Sequence, residues 1–217
     1  MNTDYANKPE SYYGVVRWEI VDRIPGHTKT MLDVGCGYGD TGVAAKSRLG
    51  EITVVGLEYF EPAAEVASKR LDRVYCGDVE SMDLDFPDGH FDCIVCADVL
   101  EHTRDPWLVL SRLRTKLAPS GVLVVSLPNI RNMHPLWDIL RDRFEYQDHG
   151  ILDRTHLRFF TLHTMRKMLE STGFEITSIG HNRYHSWKYN LLVGLTLGLL
   201  YPFTIYQHLF TCVAKDG

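Results

Sequence analysis

Between residues 30 and 127 the chain repeats one unit: a short, mostly apolar run, a turn that carries a carboxylate, and a segment with helical spacing. The runs are TMLDV (30–34), ITVVGLE (52–58), RVYCGD (73–78), FDCIVCAD (91–98) and GVLVVSLPN (121–129). Between them, TGVAAKSRLG (41–50) reads as a helix with Asp40 as N-cap and Gly50 as stop. Pro62 opens a second helix over 62–70, and Asp105 with Pro106 starts a third in which Trp107, Leu110, Leu113 and Leu117 fall at core-facing spacing. Continuous apolar strands alternating with helices predict an α/β fold: a doubly wound, mostly parallel sheet covered on both faces, with right-handed crossovers. Ligands of such a sheet bind beyond the C-terminal ends of its strands. From 128 to 160 the alternation lapses, and a long irregular insertion of this kind is more often functional than idle. It resumes with a helix over 162–172, N-capped by Thr161 and stopped by Gly173, followed by the strand FEITSIG (174–180).

With 217 residues, the chain has the size of one well-buried domain carrying an elaboration. A net charge of −5 and the lack of any Lys/Arg-rich run exclude a nucleic-acid partner. Five cysteines without scaffold spacing, and a start, MNTDYANKPE, with no apolar signal core, place the expected location in a reducing cytoplasm. Cys93 and Cys96 form a CxxC, but inside a strand residues three apart point to opposite faces, so no metal site is read from the sequence.

The turn MLDVGCGYGDTG (31–42) admits two parsings. Gly35, Gly37 and Gly39 make a GxGxG directly after the strand, whereas Gly37, Gly39 and Gly42 make the GxGxxG of dinucleotide sites, starting two residues late. The residues at the strand ends discriminate. Asp33, Glu58, Asp78 and Asp98 are all carboxylates, which repel a pyrophosphate and attract a cation. S-adenosylmethionine, with a cationic ammonium, a cationic sulfonium and a ribose diol that a carboxylate can grip, is the better match. A nicotinamide-dependent oxidoreductase stays open through the overlapping GxGxxG. Gly42 is then a packing residue inside the helix.

At LDVGCGYGD, GDVESMDLDFPDGHFDCIVCADVLEHTRDP and HLRFFT the sequence resembles the class I S-adenosylmethionine-dependent methyltransferases, over roughly residues 10 to 180. The resemblance implies a Rossmann-like seven-stranded sheet whose last strand, 206–214, adds antiparallel at the edge. It places Asp33, Gly35, Gly37 and Gly39 around the methionine moiety, Glu58 on the ribose hydroxyls, and Asp78 with the Val79 N–H on the adenine edge. Asp98 falls near the transferring methyl, and Tyr13 and Arg17 in an N-terminal segment that closes over the cofactor, where Arg17 pairs with the cofactor's carboxylate. One domain is expected over 1–217: a cap (1–29), a cofactor-binding core (30–127), an acceptor lid (128–160) and a C-terminal part (161–217).

After the fourth strand stands ADVLEH in place of the Asp/Asn-Pro-Pro-aromatic signature of enzymes that methylate amide or nucleobase nitrogen. A hydroxyl or amine of a small molecule or sugar is therefore the expected acceptor. A hydroxyl must lose its proton, and His102 and His156 are the candidate bases, the latter with Asp153 to orient it. A cofactor-binding partner subunit without turnover is the alternative. The aromatics and arginines of 128–160 suit a sugar or an anionic acceptor. The apolar segment 191–206, too short for a span and interrupted by Pro202, predicts a helix over 191–200 whose face suits a membrane surface, a lipid-linked substrate or the second copy of a homodimer.

Overall fold

A computed structural model describes residues 3–184 and 186–215, so the outermost residues of the 1–217 unit lie outside the described part. Three short helices, α1 (Thr3–Ala6), α2 (Glu10–Tyr13) and α3 (Trp18–Val21), precede the first strand. The alternating core follows as β1 (Thr30–Val34), α4 (Asp40–Leu49), β2 (Thr53–Glu58), α5 (Glu61–Ala67), β3 (Arg73–Cys76), β4 (Phe91–Ala97), α6 (Pro106–Lys116) and β5 (Leu117–Pro128). Then come α7 (Met133–Leu140), α8 (Leu162–Ser171), β6 (Phe174–Arg183), α9 (Trp187–Leu195), α10 (Tyr201–Thr204) and β7 (Ile205–Ala214).

The strands form one seven-stranded sheet in the order β3-β2-β1-β4-β5-β7-β6. Strands β1 to β5 pair in parallel, and β7 runs antiparallel to both β5 and β6. This is the Rossmann-like, mostly parallel sheet expected. One detail differs: β7 lies between β5 and β6 and is not the edge strand. Its residues Leu209, Phe210 and Cys212 are buried, whereas much of β6 is exposed, so the more apolar strand takes the inner place.

Both faces of the sheet are covered. Leu32, Ile94 and Leu123 pack in one apolar cluster with α6 and α8, while Met31, Cys93, Val95 and Val124 pack in another with α3 and α4. Cys93 and Cys96 fall into opposite clusters, as their spacing requires.

Local signals explain most helix ends. The Asp105 carboxylate accepts the Leu108 N–H at 3.0 Å, and Thr161 with Thr164 forms a reciprocal capping box on α8. Gly42 packs against β2 and Leu71, leaving no space for a Cβ. Four expectations shift. The N-cap of α4 is Gly39, in a left-handed conformation, so Asp40 stands at the first helical position and pairs with Arg70 at 2.5 Å. Trp107 is 41% exposed, and Val109 occupies the core-facing place expected of it. The insertion carries the helix α7, capped by Asn132. Helix α9 starts at Trp187 and ends at Leu195, before the left-handed pair Leu197–Gly198, so the expected 191–200 helix is displaced toward the N-terminus. Leu191, Leu195, Leu197 and Leu199 are exposed, and no helix among the described residues is long and apolar enough to cross a membrane.

Candidate active site

Strand order reverses between β1 and β4, which opens a crevice above their C-terminal ends. Asp33, the penultimate residue of β1, is 3% exposed, and its Oδ2 has no hydrogen-bond partner among the described residues. Burial, reinforced by the neighbouring Glu58 carboxylate, pushes its pKa up to about 7.

The turn after β1 is held from three sides. The Leu57 carbonyl accepts the N–H groups of Gly35 and Cys36 at 2.7 and 3.1 Å. Gly35 and Gly37 have φ of 69° and 55°, and a Cβ on either would lie 2.5 Å from Val99 Cγ2 or from the Tyr13 carbonyl oxygen. Only glycine therefore lets both the β4 exit and the N-terminal cap approach so closely. That cap is fastened to the turn: Tyr38 N–H donates to the Tyr13 carbonyl at 2.9 Å, and the Tyr13 ring stacks on Phe60.

Glu58 ends β2, 6% exposed, and its carboxylate accepts the Gly37 and Phe60 N–H groups at 2.8 and 2.9 Å. Its pKa is nevertheless raised, because desolvation outweighs those amide bonds. Asp78, beyond β3, accepts the Glu80 N–H at 2.9 Å in a tight turn. Arg112 of α6 fixes that loop by donating to the Val79 and Glu80 carbonyls at 2.9 and 2.8 Å.

Asp98, just past β4, has φ of 56°, rare for a non-glycine residue. Its Oδ1 accepts from Ser126 Oγ at 3.0 Å and Gln207 Nε2 at 2.5 Å, and its Oδ2 pairs with Arg17. Arg17 also donates to Glu19 at 2.7 Å and to Gln207 at 3.0 Å, so each of its terminal and Nε nitrogens has an acceptor within the chain. Within the chain, Arg17 thus holds Asp98 in place. Gln207 was not foreseen: it reaches the site because β7 pairs beside β5, opposite Pro128, and no local pattern marks it.

The two histidines meet. A 3-10 turn, Leu100–His102, follows β4, and the rings of His102 and His156 stand edge to face with centroids 4.7 Å apart. His102 Nδ1 lies 3.1 Å from the Thr155 carbonyl, and His156 Nδ1 lies 3.0 Å from the Ile151 carbonyl. Asp153 does not orient the His156 ring: its carboxylate is taken by Lys8 and by the Thr155 N–H and hydroxyl. Burial pushes the His102 pKa down to about 4 and lowers that of His156, so both rings are neutral at pH 7. The Tyr5 and Tyr12 hydroxyls of the N-terminal cap approach His102 at 3.4 and 3.5 Å.

The expected arginine surface of the insertion is partly consumed within the chain. Arg131 stacks on Phe203, Arg141 on Trp137, Arg154 pairs with Asp148, and Arg158 donates to the Arg104 carbonyl.

Residues 17–179 match the protein family described as a methyltransferase domain. A "Probable S-adenosylmethionine-dependent methyltransferase" of Mycolicibacterium smegmatis is 29% identical over 172 residues, which cover 77% of this chain and 61% of that protein. A ubiquinone biosynthesis O-methyltransferase of Coxiella burnetii is 26% identical over 188 residues, covering 83% of this chain and 79% of that one. This chain thus spans less than two thirds of the length of the first relative. Among solved structures, a SAM dependent methyltransferase from Archaeoglobus fulgidus shares the fold with a TM-score of 0.70 at 17% identity, covering 94% of this chain and 97% of its own.

Proposed function

The chain belongs to the methyltransferase-domain family of class I, S-adenosylmethionine-dependent proteins, and from that premise we propose that it transfers a methyl group from S-adenosylmethionine to a hydroxyl of a small molecule, either a sugar or another metabolite. The cofactor supplies an electrophilic methyl already attached to a sulfonium leaving group. Positioning then accounts for much of the rate, up to about 7–11 kcal/mol in well-oriented systems.

The crevice residues suit that cofactor. Asp33, a buried carboxylate with an unpartnered oxygen, is short of a cation or a donor, and a cationic amino-acid end supplies one. Glu58, facing the same turn, takes the ribose diol, and Asp78 with the Val79 N–H takes the adenine edge. Asp98 orients the methionine end, itself held by Arg17, Ser126 and Gln207. Tyr13 closes the site by fixing the cap onto the glycine turn.

The observation that carries the choice of a hydroxyl is the pair of neutral imidazoles past the end of β4, each with Nδ1 committed to a backbone carbonyl so that Nε2 is the acceptor nitrogen, met in His102 by the Tyr12 hydroxyl at 3.5 Å. A hydroxyl needs its proton removed, and this pair is the activating group. The Coxiella relative, a ubiquinone biosynthesis O-methyltransferase by name, supports an oxygen acceptor. With four of the insertion's arginines already engaged, a neutral polyol or phenol suits the lid better than a strongly anionic acceptor.

The test is incubation of the purified protein with S-adenosylmethionine and a pool of hydroxylated metabolites from the native host. Mass spectrometry should find products with one added methyl on oxygen, together with released S-adenosylhomocysteine. Methyl groups on nitrogen or carbon would overturn the acceptor class. Tight cofactor binding with no product from any acceptor would make the chain a binding subunit.

A further inference from the structure

Glu101 is the most unusual side chain in the described molecule. It is 1% exposed, and among the described residues neither carboxylate oxygen has a hydrogen-bond partner. A buried carboxylate in that condition is costly unless a proton or a cation accompanies it. The nearby basic side chains are committed elsewhere: Arg17 to Asp98, Glu19 and Gln207, and Lys8 to Asp153.

What Glu101 does face is His156, whose Nε2 lies 3.9 Å from Oε1. One ligand atom from each of Glu101, His102 and His156 can be chosen so that all three lie within 4.8 Å of one another. We infer that Glu101, His102 and His156 bind one divalent first-row transition cation.

Three features carry this beyond proximity. The donor set is two imidazoles and a carboxylate, which suits zinc, iron, cobalt or manganese better than magnesium or calcium, and it leaves coordination positions open. Each imidazole has Nδ1 against a backbone carbonyl, Thr155 for His102 and Ile151 for His156, the outer-shell arrangement that keeps the proton on Nδ1; Nε2 of His156 then faces Glu101, and Nε2 of His102 meets the Tyr12 hydroxyl at 3.5 Å, a long contact that a metal ion would replace. The two pieces of chain that supply the ligands are also tied together: the Glu101 main-chain carbonyl accepts the N–H groups of Leu157 and Arg158 at 2.8 and 3.0 Å. Bonds of about 2.0–2.2 Å at tetrahedral angles put ligand atoms roughly 3.3–3.6 Å apart, so the widest pair of the cluster has to draw in by up to about 1.5 Å to close around an ion.

The inference rests on the proposed O-methylation only for what the ion does there. A hydroxyl bound at an open position is acidified by the cation and gives its proton to solvent. Its oxygen then forms the C–O bond as the methyl–sulfur bond breaks, and the electron pair of that bond neutralises the sulfonium. Activation of the acceptor by the two histidines is then indirect, through the ion they hold.

The experiment uses the full chain, stripped with a chelator and titrated with Co²⁺ alone and, separately, with Mn²⁺. One equivalent of bound cobalt with visible bands typical of nitrogen and oxygen ligation is expected, as is loss of the free Mn²⁺ resonance. Glu101→Gln and His156→Gln should each weaken uptake at least ~10-fold, the scale seen even for outer-shell changes, while retention of S-adenosylmethionine binding shows that the variants are folded. Substoichiometric cobalt uptake by the wild-type chain, or a spectrum without imidazole ligation, overturns the site with no variant needed. Uptake by the glutamine variants equal to that of the wild type also overturns it. Metal binding without any methylated hydroxyl would sink the acceptor reading alone, and hydroxyl methylation at full rate in chelator would sink the ion's role alone.

Discussion

Asp33 titrates near neutrality, so the crevice it lines is sensitive to pH, and a cationic ligand bound there would compete with its proton. Its carboxyl titrates at about 7 in the folded chain and at 3.8 when unperturbed. The folded state therefore binds the proton more tightly than the unfolded state, so this contribution to stability is present below pH 3.8 and is lost as pH rises toward 7. At 1.36 kcal/mol per unit, the loss is about 4 kcal/mol. Asp33→Asn should flatten that dependence, so that thermal melts of the variant and the wild type diverge in the variant's favour between pH 5 and about 8. Cofactor binding should show the opposite trend. If the ionised Asp33 receives the cationic end, affinity measured by calorimetry should climb as pH rises toward about 7 and then level off. Asp33→Asn should weaken it by roughly 1.5–3 kcal/mol, the range for a hydrogen bond to a charged group. An affinity independent of pH from 5 to 8 would remove Asp33 from the contact. That Asp33, Glu58, Asp78 and Asp98 were legible in the sequence has a plain cause. Each stands within two residues of the C-terminal end of its own strand, so a local pattern marks its place. Glu101, Gln207 and Lys8 acquire their partners only through packing of segments far apart in the chain, and nothing local distinguishes them.

Elements were readable where a single residue satisfies or terminates a helix end. Asp105, Thr161, Gly50 and Gly173 all stand where their chemistry placed them, because a cap acts within one turn of its own helix. Helix α8 shows what such an end contributes. Its capping box joins Thr161 and Thr164 reciprocally, and the helix buries Met165, Met168 and Leu169 against the sheet. Thr161→Ala should therefore cost about 1 kcal/mol, the usual value for a lost N-cap, seen as an earlier midpoint in denaturant at unchanged slope. The position of β7 was not readable in the same way. Alternation and apolarity mark a strand but leave its neighbours open, and by pattern alone β7 could have paired outside β6 as easily as between β6 and β5. What selects the inner place is burial of Leu209, Phe210 and Cys212, and it is this choice that carries Gln207 to Asp98. The exposed Trp107 has a related cause: at the first turn of α6, spacing alone does not say which way the capped end faces.

At the scale of the molecule, two segments that the chain's order keeps far apart close over the site together. The N-terminal cap, expected to cover the cofactor, reaches the 128–160 insertion, where Lys8 donates to both oxygens of Asp153 at 2.6 and 2.5 Å and to the Asp148 carbonyl at 2.6 Å. Both side chains of this pair are almost fully buried, and the Lys8 ammonium sits 4.9 Å from the centre of the Tyr12 ring. The pair therefore fastens cap to insertion directly beside His102, whose ring is approached by Tyr5 and Tyr12 from the same cap. Removing one partner of a buried pair strands the other charge, typically at about 3–5 kcal/mol. Lys8→Met should fall at the lower end of that range, because Asp153 keeps its bonds from the Thr155 N–H and hydroxyl. The loss belongs to the clasp, so its signature is local: limited proteolysis should cut ahead of Arg17 sooner in the variant than in the wild type, while the sheet's amides keep their protection against hydrogen exchange. Adding Asp153→Asn to Lys8→Met should recover part of the loss, since the stranded charge is gone and an acceptor oxygen remains for Thr155. A double variant as unstable as the sum of the two single ones would show that the two residues do not act as a pair.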